Sequence, residues 1–184
     1  MNRWSDGVHE DHETLASQAG ALEAALGMDI GPEDKRVALS WVIHALWPSL
    51  ELHLRKEEET LFPVLQRLLG ENAGALTLLR RQNQELRLAH RHLAELLKEQ
   101  GRFALEEIKI DSYAFIDLLE DHEKKVQRLL LDVLEFSLGP KELAVLAQKF
   151  QEIAQRAHEE EGWPDPWRST RRPSQRFERE HLVQ

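Results

Sequence analysis

Apolar residues recur along the chain at the three-and-four spacing of a buried helix face, in five separate stretches. From about Ser5 to Leu26 the stripe is Leu15, Ala16, Ala19, Leu22 and Leu26, with Ser5 and Asp6 placed as caps and Gly27 near the stop. MDIGPEDK then reads as a loop. A second helix is predicted over Val37 to Leu69, with Leu46, Leu50, His53, Glu57 and Leu61 on one face and Gly70 closing it. Pro48 lacks the N–H that an interior position donates, so a kink or restart is expected there, and Pro63 can act likewise near the end.

The third helix is predicted from about Ala73 to Gln100, on Leu76, Leu79, Asn83, Leu86, His90, Leu93 and Leu97. GRFALEEIKI is expected to connect it to a fourth helix, capped by Asp111 or Ser112 and faced by Phe115, Leu118, Leu119, His122, Val126, Leu129, Leu130 and Val133. Gly139 and Pro140 end that helix and begin a fifth, about Lys141 to Glu161, with Leu143, Leu146, Ala147, Phe150, Ile153 and Ala154 at helical spacing. Beyond Gly162 three prolines and no apolar period predict an irregular tail, with Trp163 and Trp167 available to pin its start.

Long helices joined by short connections favour antiparallel neighbours. The expected fold is therefore all-α: an up-and-down four-helix bundle with an accessory fifth C-terminal helix. One domain spans 1–161, its core bundle about 8–136 and its accessory helix about 140–161, and the tail covers 162–184. A length of 184 residues suits one sizeable core, and 9 Gly with 7 Pro is too few for the turns of a large sheet.

Charge narrows the partners. Against 24 Lys and Arg stand 33 Asp and Glu, a formal net charge of -9, which repels a phosphate backbone, so no nucleic acid is expected. The tail's arginines, at 168, 171, 172, 176 and 179, read as a solvated segment diluted by Glu178 and Glu180. No stretch is long and apolar enough to cross a membrane, and the charged start MNRWSDGVHEDHE makes the cytoplasm the expected location. Without cysteine, any metal must be held by His and carboxylates.

Four polar residues break the apolar stripes: His12, His53, Asn83 and His122, one on each of the first four helices. A bundle aims all four inward. Glu57, four residues after His53, puts a carboxylate on the same face with Cβ atoms about 5–6 Å apart, a gap that one metal ion spans. His90 lies two turns beyond Asn83, and His9, His44, His92 and His158 read as surface residues. Glu58 reads as a supporting or surface acid.

These residues resemble the hemerythrin-like (HHE) family. ELHLRKEEETLFPVL carries its HxxxE pattern and the following Leu-Phe-Pro run, DHETL is similar to its first-helix motif, RRQNQELR to its third and LLEDHEKKVQRLLLDVL to its fourth. The resemblance implies a bundle in which a His from each of four helices, with a Glu four residues after the second and fourth, holds a pair of irons. Family members bind dioxygen, sense redox or iron status, or help repair iron centres. Carried over residue by residue, the metal ligands are His12, His53, Glu57 and His122.

Two positions depart from that pattern. Asn83 stands where the third-helix His belongs, and Val126 where the second Glu belongs. His12, His53 and Glu57 remain as a two-His, one-carboxylate set, the composition of many mononuclear non-haem iron sites, with His122 as a further arm.

The functional expectation is a protein that binds non-haem iron, or another divalent metal, with dioxygen or another small ligand at the metal. No nucleophile or proton relay marks an enzyme, so turnover is not expected. The alternative is a bundle that has kept the scaffold and lost the metal, serving as a structural or protein-interaction module. Haem held by paired histidines has no motif behind it.

Overall fold

The first stripe folds as α1, Asp6–Gly27, burying Val8, Leu15, Ala19, Leu22, Ala25 and Leu26. Ala16 is exposed and Val8 takes its place in the stripe. Ser5 caps α1 through its backbone, its carbonyl accepting from Val8 and His9 N–H at 3.0 Å. The structure, a computed structural model, describes residues 5–70, 74–98 and 102–160. The expected helix ends at Ala73 and Gln100, and the tail with its two tryptophans, lie outside the described residues.

Helix α2, Pro32–Lys56, begins earlier than Val37. Pro32 sits at a helix start, where its missing N–H is no loss, and Glu33 and Asp34 meet the positive end of the helix dipole. The helix runs on through Pro48, which is buried within it. One lost hydrogen bond is outweighed by the apolar burial of Leu46, Leu50 and Leu54 around it.

The irregularity falls further along, at a π turn over Glu57–Leu61 that leads into α3, Phe62–Leu69. Phe62 N–H reaches back five residues to the Glu57 carbonyl. Pro63 contributes to this widening: it has no N–H, and its ring would press on the Glu59 carbonyl of a regular α-turn. Gly70, at φ 79, then ends the helix in a conformation that side chains disfavour.

Helix α4 spans Gly74–Leu96 and buries Leu76, Leu79, Asn83, Leu86, His90 and Leu93 as expected. Helix α5, Arg102–Val126, corrects the predicted connection: most of GRFALEEIKI is helical. Ile108 and Ser112 are fully buried and continue the stripe of Phe115, Leu119 and His122 toward the N-terminus, so packing extends the helix past Asp111.

A second π turn, Gln127–Leu131, joins α5 to α6, Asp132–Ser137. It contains no proline, so packing has to supply what local sequence does not. Its extra residue slips the buried stripe from Val133, half-buried, to Leu134, fully buried. Helix α7, Pro140–Glu159, is the accessory helix. Gly139 N–H donates to the Glu142 carboxylate at 3.2 Å to start it. Phe150 reaches 3.3 Å from where a Cβ would stand on Gly7, and Arg156 pairs with Glu59 at 2.9 Å.

In sequence order the four bundle rods are α1, α2 with α3, α4, and α5 with α6, each packed beside the next, and α1 closes the ring against α5. All described elements are helical. The interior holds two apolar clusters, one including Leu15, Leu50, Leu54, Leu86 and Leu119, the other Val8, Leu61, Leu79 and Val126. Among the described residues no helix is long and apolar enough to cross a membrane.

Candidate metal centre

Along every rod polar positions separate the two clusters. His12 lies between Val8 and Leu15, His53 and Glu57 between Leu50 and Leu61, Asn83 between Leu79 and Leu86, and His122 between Leu119 and Val126. Helical periodicity thus puts all five into one layer of the bundle. His53, Glu57, Asn83 and His122 are fully buried, and His12 is half-buried.

Glu57 is the centre of the layer. Its Oε1 lies 3.3 Å from His53 Nε2 and its Oε2 lies 3.4 Å from His122 Nε2. Asn83 Nδ2 donates to Oε2 at 3.2 Å. The His12 and His53 rings are 4.9 Å apart, edge to face, and His53 and His122 are 5.9 Å apart. His12, His53 and Glu57 each offer a donor atom within 4.8 Å of the others. His122 falls outside that trio and faces the second carboxylate oxygen.

Charged groups outside the layer hold it in place. Asp11 Oδ2 lies 3.6 Å from His53 Nδ1, and Lys56 Nζ donates to both Asp11 oxygens, at 2.7 and 2.9 Å. A carboxylate behind an imidazole fixes the ring and leaves its far nitrogen for a ligand. Lys56 is itself buried and sits 4.7 Å from the centre of the Phe150 ring, which ties α7 to the site. On the other side Arg87 binds Glu58 at 2.7 and 3.1 Å and Glu51 at 2.8 and 3.2 Å.

The electrostatics follow from burial and neighbours. Burial, helped by neighbouring His53, pushes His12 down to about 3, so its ring is neutral and keeps a free lone pair. Burial also opposes charge on His53, but Glu57 and Asp11 outweigh it and raise the ring to about 9. For Glu57 burial opposes ionisation too, yet His122 and His53 hold the carboxylate well below its usual range. Glu123, half-buried beside His122, is pushed up by burial.

The donors fit a metal ion. His12 Nε2, both ring nitrogens of His53, both of His122 and Glu57 Oε1 are buried and make no hydrogen bond. Each such group left unsatisfied costs about 1–3 kcal/mol, so native interiors rarely gather six of them at one level. Their contacts at 3.3 to 3.4 Å converge without hydrogen-bond geometry. Two imidazoles and a carboxylate suit a borderline divalent ion such as Fe(II).

His90 does not join the layer. Its Nε2 is 2.8 Å from the Ile43 carbonyl and its ring stacks on Trp47 at 4.8 Å, which makes it a satisfied core histidine. His9, His44 and His92 are exposed as expected, and the His158 side chain lies outside the described residues. Glu58 is a supporting acid. Sequence reading missed the supporting roles of Asp11, Lys56 and Arg87. The available signal was adjacency for Asp11, which precedes His12, while the Lys56 and Arg87 contacts span 45 and 29 to 36 residues and have no local mark.

Compared with curated proteins and with solved structures, the chain matches none. The family model described as the hemerythrin HHE cation binding domain matches residues 5–134, a span that holds every residue of the polar layer. The chain belongs to the hemerythrin HHE cation-binding family.

Proposed function

We propose that this protein binds a divalent metal ion, iron in the first instance, through His12, His53 and Glu57, with His122 beside the carboxylate's second oxygen. The observation that carries this reading is the group of buried, unpartnered nitrogen and oxygen atoms drawn from three helical rods into one layer. What bound iron supplies is a change of oxidation state and an open position for a small ligand such as dioxygen. The chain's own residues hold the ion, set Asp11 behind the His53 imidazole, and exclude bulk water with apolar clusters on either side of the layer. The role is binding or sensing of oxygen or redox state.

A second reading, a metal-free bundle serving as an interaction module, draws on Val126. It is fully buried in the lower apolar cluster and offers no donor one turn beyond His122. The two readings part on one measurement, metal per chain in protein purified from iron-supplemented cells. About one equivalent supports the metal centre, and less than about 0.05 equivalent of any transition metal leaves only the module.

A further inference from the structure

We propose that Asn83 is a positioning residue of this centre: its amide N–H group holds Glu57 Oε2, presents Oε1 to the His12 and His53 side, and restricts the layer to one ion. The inference rests on the metal-centre reading above and adds what sets the geometry and number of the ions.

The amide's orientation is fixed by its neighbours. Asn83 Nδ2 lies 3.2 Å from Glu57 Oε2 and 3.2 Å from Glu58 Oε1. Two carboxylate oxygens facing the same edge of the amide require the N–H side there, because a carbonyl oxygen would meet two negative acceptors. Glu58 cannot drift away, since Arg87 grips both its oxygens and is anchored in turn on Glu51. The chain Glu51, Arg87, Glu58, Asn83, Glu57 therefore runs from the α2–α4 face into the centre.

The consequence is a carboxylate with two unequal oxygens. Oε1 has no hydrogen bond and lies 3.3 Å from His53 Nε2, and Glu57 forms with His12 and His53 the trio whose donors lie within 4.8 Å of one another. Oε2 already accepts a bond from Asn83, and beyond it the layer offers His122. A second ion on that side would have one imidazole and a carboxylate oxygen partly engaged by an amide, with Val126 adding nothing. Glu123, beside His122, has a buried Oε1 without a hydrogen bond, but among the described residues it does not converge with His122 and Glu57 as His12, His53 and Glu57 converge on one another. That is too few donors for a transition metal, whereas the Oε1 side has three. The buried Asn83 Oδ1 makes no hydrogen bond, so the side chain's polar contacts in the core are those of its nitrogen.

The test is anaerobic titration of the full chain with Co(II), followed by its visible d–d bands, with metal counted by mass spectrometry. The native chain is expected to saturate at about one ion. Asn83→Ala and Asn83→Leu are both expected to weaken binding about 10- to 100-fold and to shift the band pattern, as loss of an outer hydrogen bond to a ligand does. Leu has the same number and branching of side-chain heavy atoms as Asn and leaves no cavity, so it carries the test if the smaller residue fails to fold, with circular dichroism as the check on folding. A purely structural role would lower the melting temperature and leave affinity and spectrum alone. Unchanged affinity and bands in the folded variants, or two ions on the native chain, overturn the inference. His53→Ala separates the failures. If it binds as tightly as the native chain the metal-centre reading itself falls. If it abolishes binding while the Asn83 variants match the native chain, the positioning role alone falls.

Discussion

His90 shows how much of a histidine's meaning depends on its partners. It shares a stripe with Asn83, yet it is a core residue that donates to the Ile43 carbonyl at 2.8 Å and packs on Trp47. Burial lowers its pKa, and neighbouring His44 works in the same direction against the backbone bond. Above an unfolded value of about 6.5 the ring is neutral in both states. As pH falls below that, the unfolded chain takes up the proton first, so stability declines. His90→Gln, which keeps a donor and cannot titrate, is expected to flatten urea-unfolding stability between about pH 6.5 and 5 relative to the native chain. Equal slopes would show that His90 is not buried as a neutral ring. At this scale the sequence was informative where a polar residue interrupts an apolar stripe, which exposes His12, His53, Glu57 and His122. It was silent on Asn83 as a donor, because amide orientation is set by Glu57 and Glu58 across the bundle.

Among the elements, the two π turns are what periodicity could not supply. A stripe read at 3.6 residues per turn continues from Val126 through Leu129 and Leu130 to Val133. The turn at Gln127–Leu131 inserts a residue, so Leu130, Leu131 and Leu134 are buried while Leu129 and Val133 lie half-buried. The turn at Glu57–Leu61 carries a local hint in Pro63, whereas its counterpart carries none. This makes the register testable without a new structure. Leu134→Ala is expected to cost about 3 kcal/mol through cavity formation, and Val133→Ala about 1 kcal/mol or less. Denaturant midpoints giving the reverse order would mean that the helix is regular throughout. The start of α5 had a different reason for being missed. Asp111 and Ser112 look like caps, but Ile108 already carries the buried face one turn earlier, and tertiary packing overrides the capping preference.

For the whole molecule, the polar layer lies across the middle of the fold, between two apolar clusters that each draw on several helices. Its ligands come from α1, from the α2–α3 rod and, at the second carboxylate oxygen, from α5. An ion held there joins rods through His12 Nε2, His53 Nε2 and Glu57 Oε1, buried atoms that make no hydrogen bond of their own. Binding energy at such a site is available only to the folded chain, because the unfolded chain does not bring His12 within reach of Glu57. Metal should therefore raise global stability by mass action, by about 2.7 kcal/mol at a free concentration one hundred times Kd. For a domain of this size that corresponds to a rise of roughly 5–10 °C in Tm. The increase should appear with Fe(II) under anaerobic conditions, disappear on adding a chelator, and be absent in His53→Ala. An ion bound adventitiously on the acidic surface would instead leave the His53→Ala response equal to the native one, and a Tm indifferent to both metal and chelator would count against any ion in the layer.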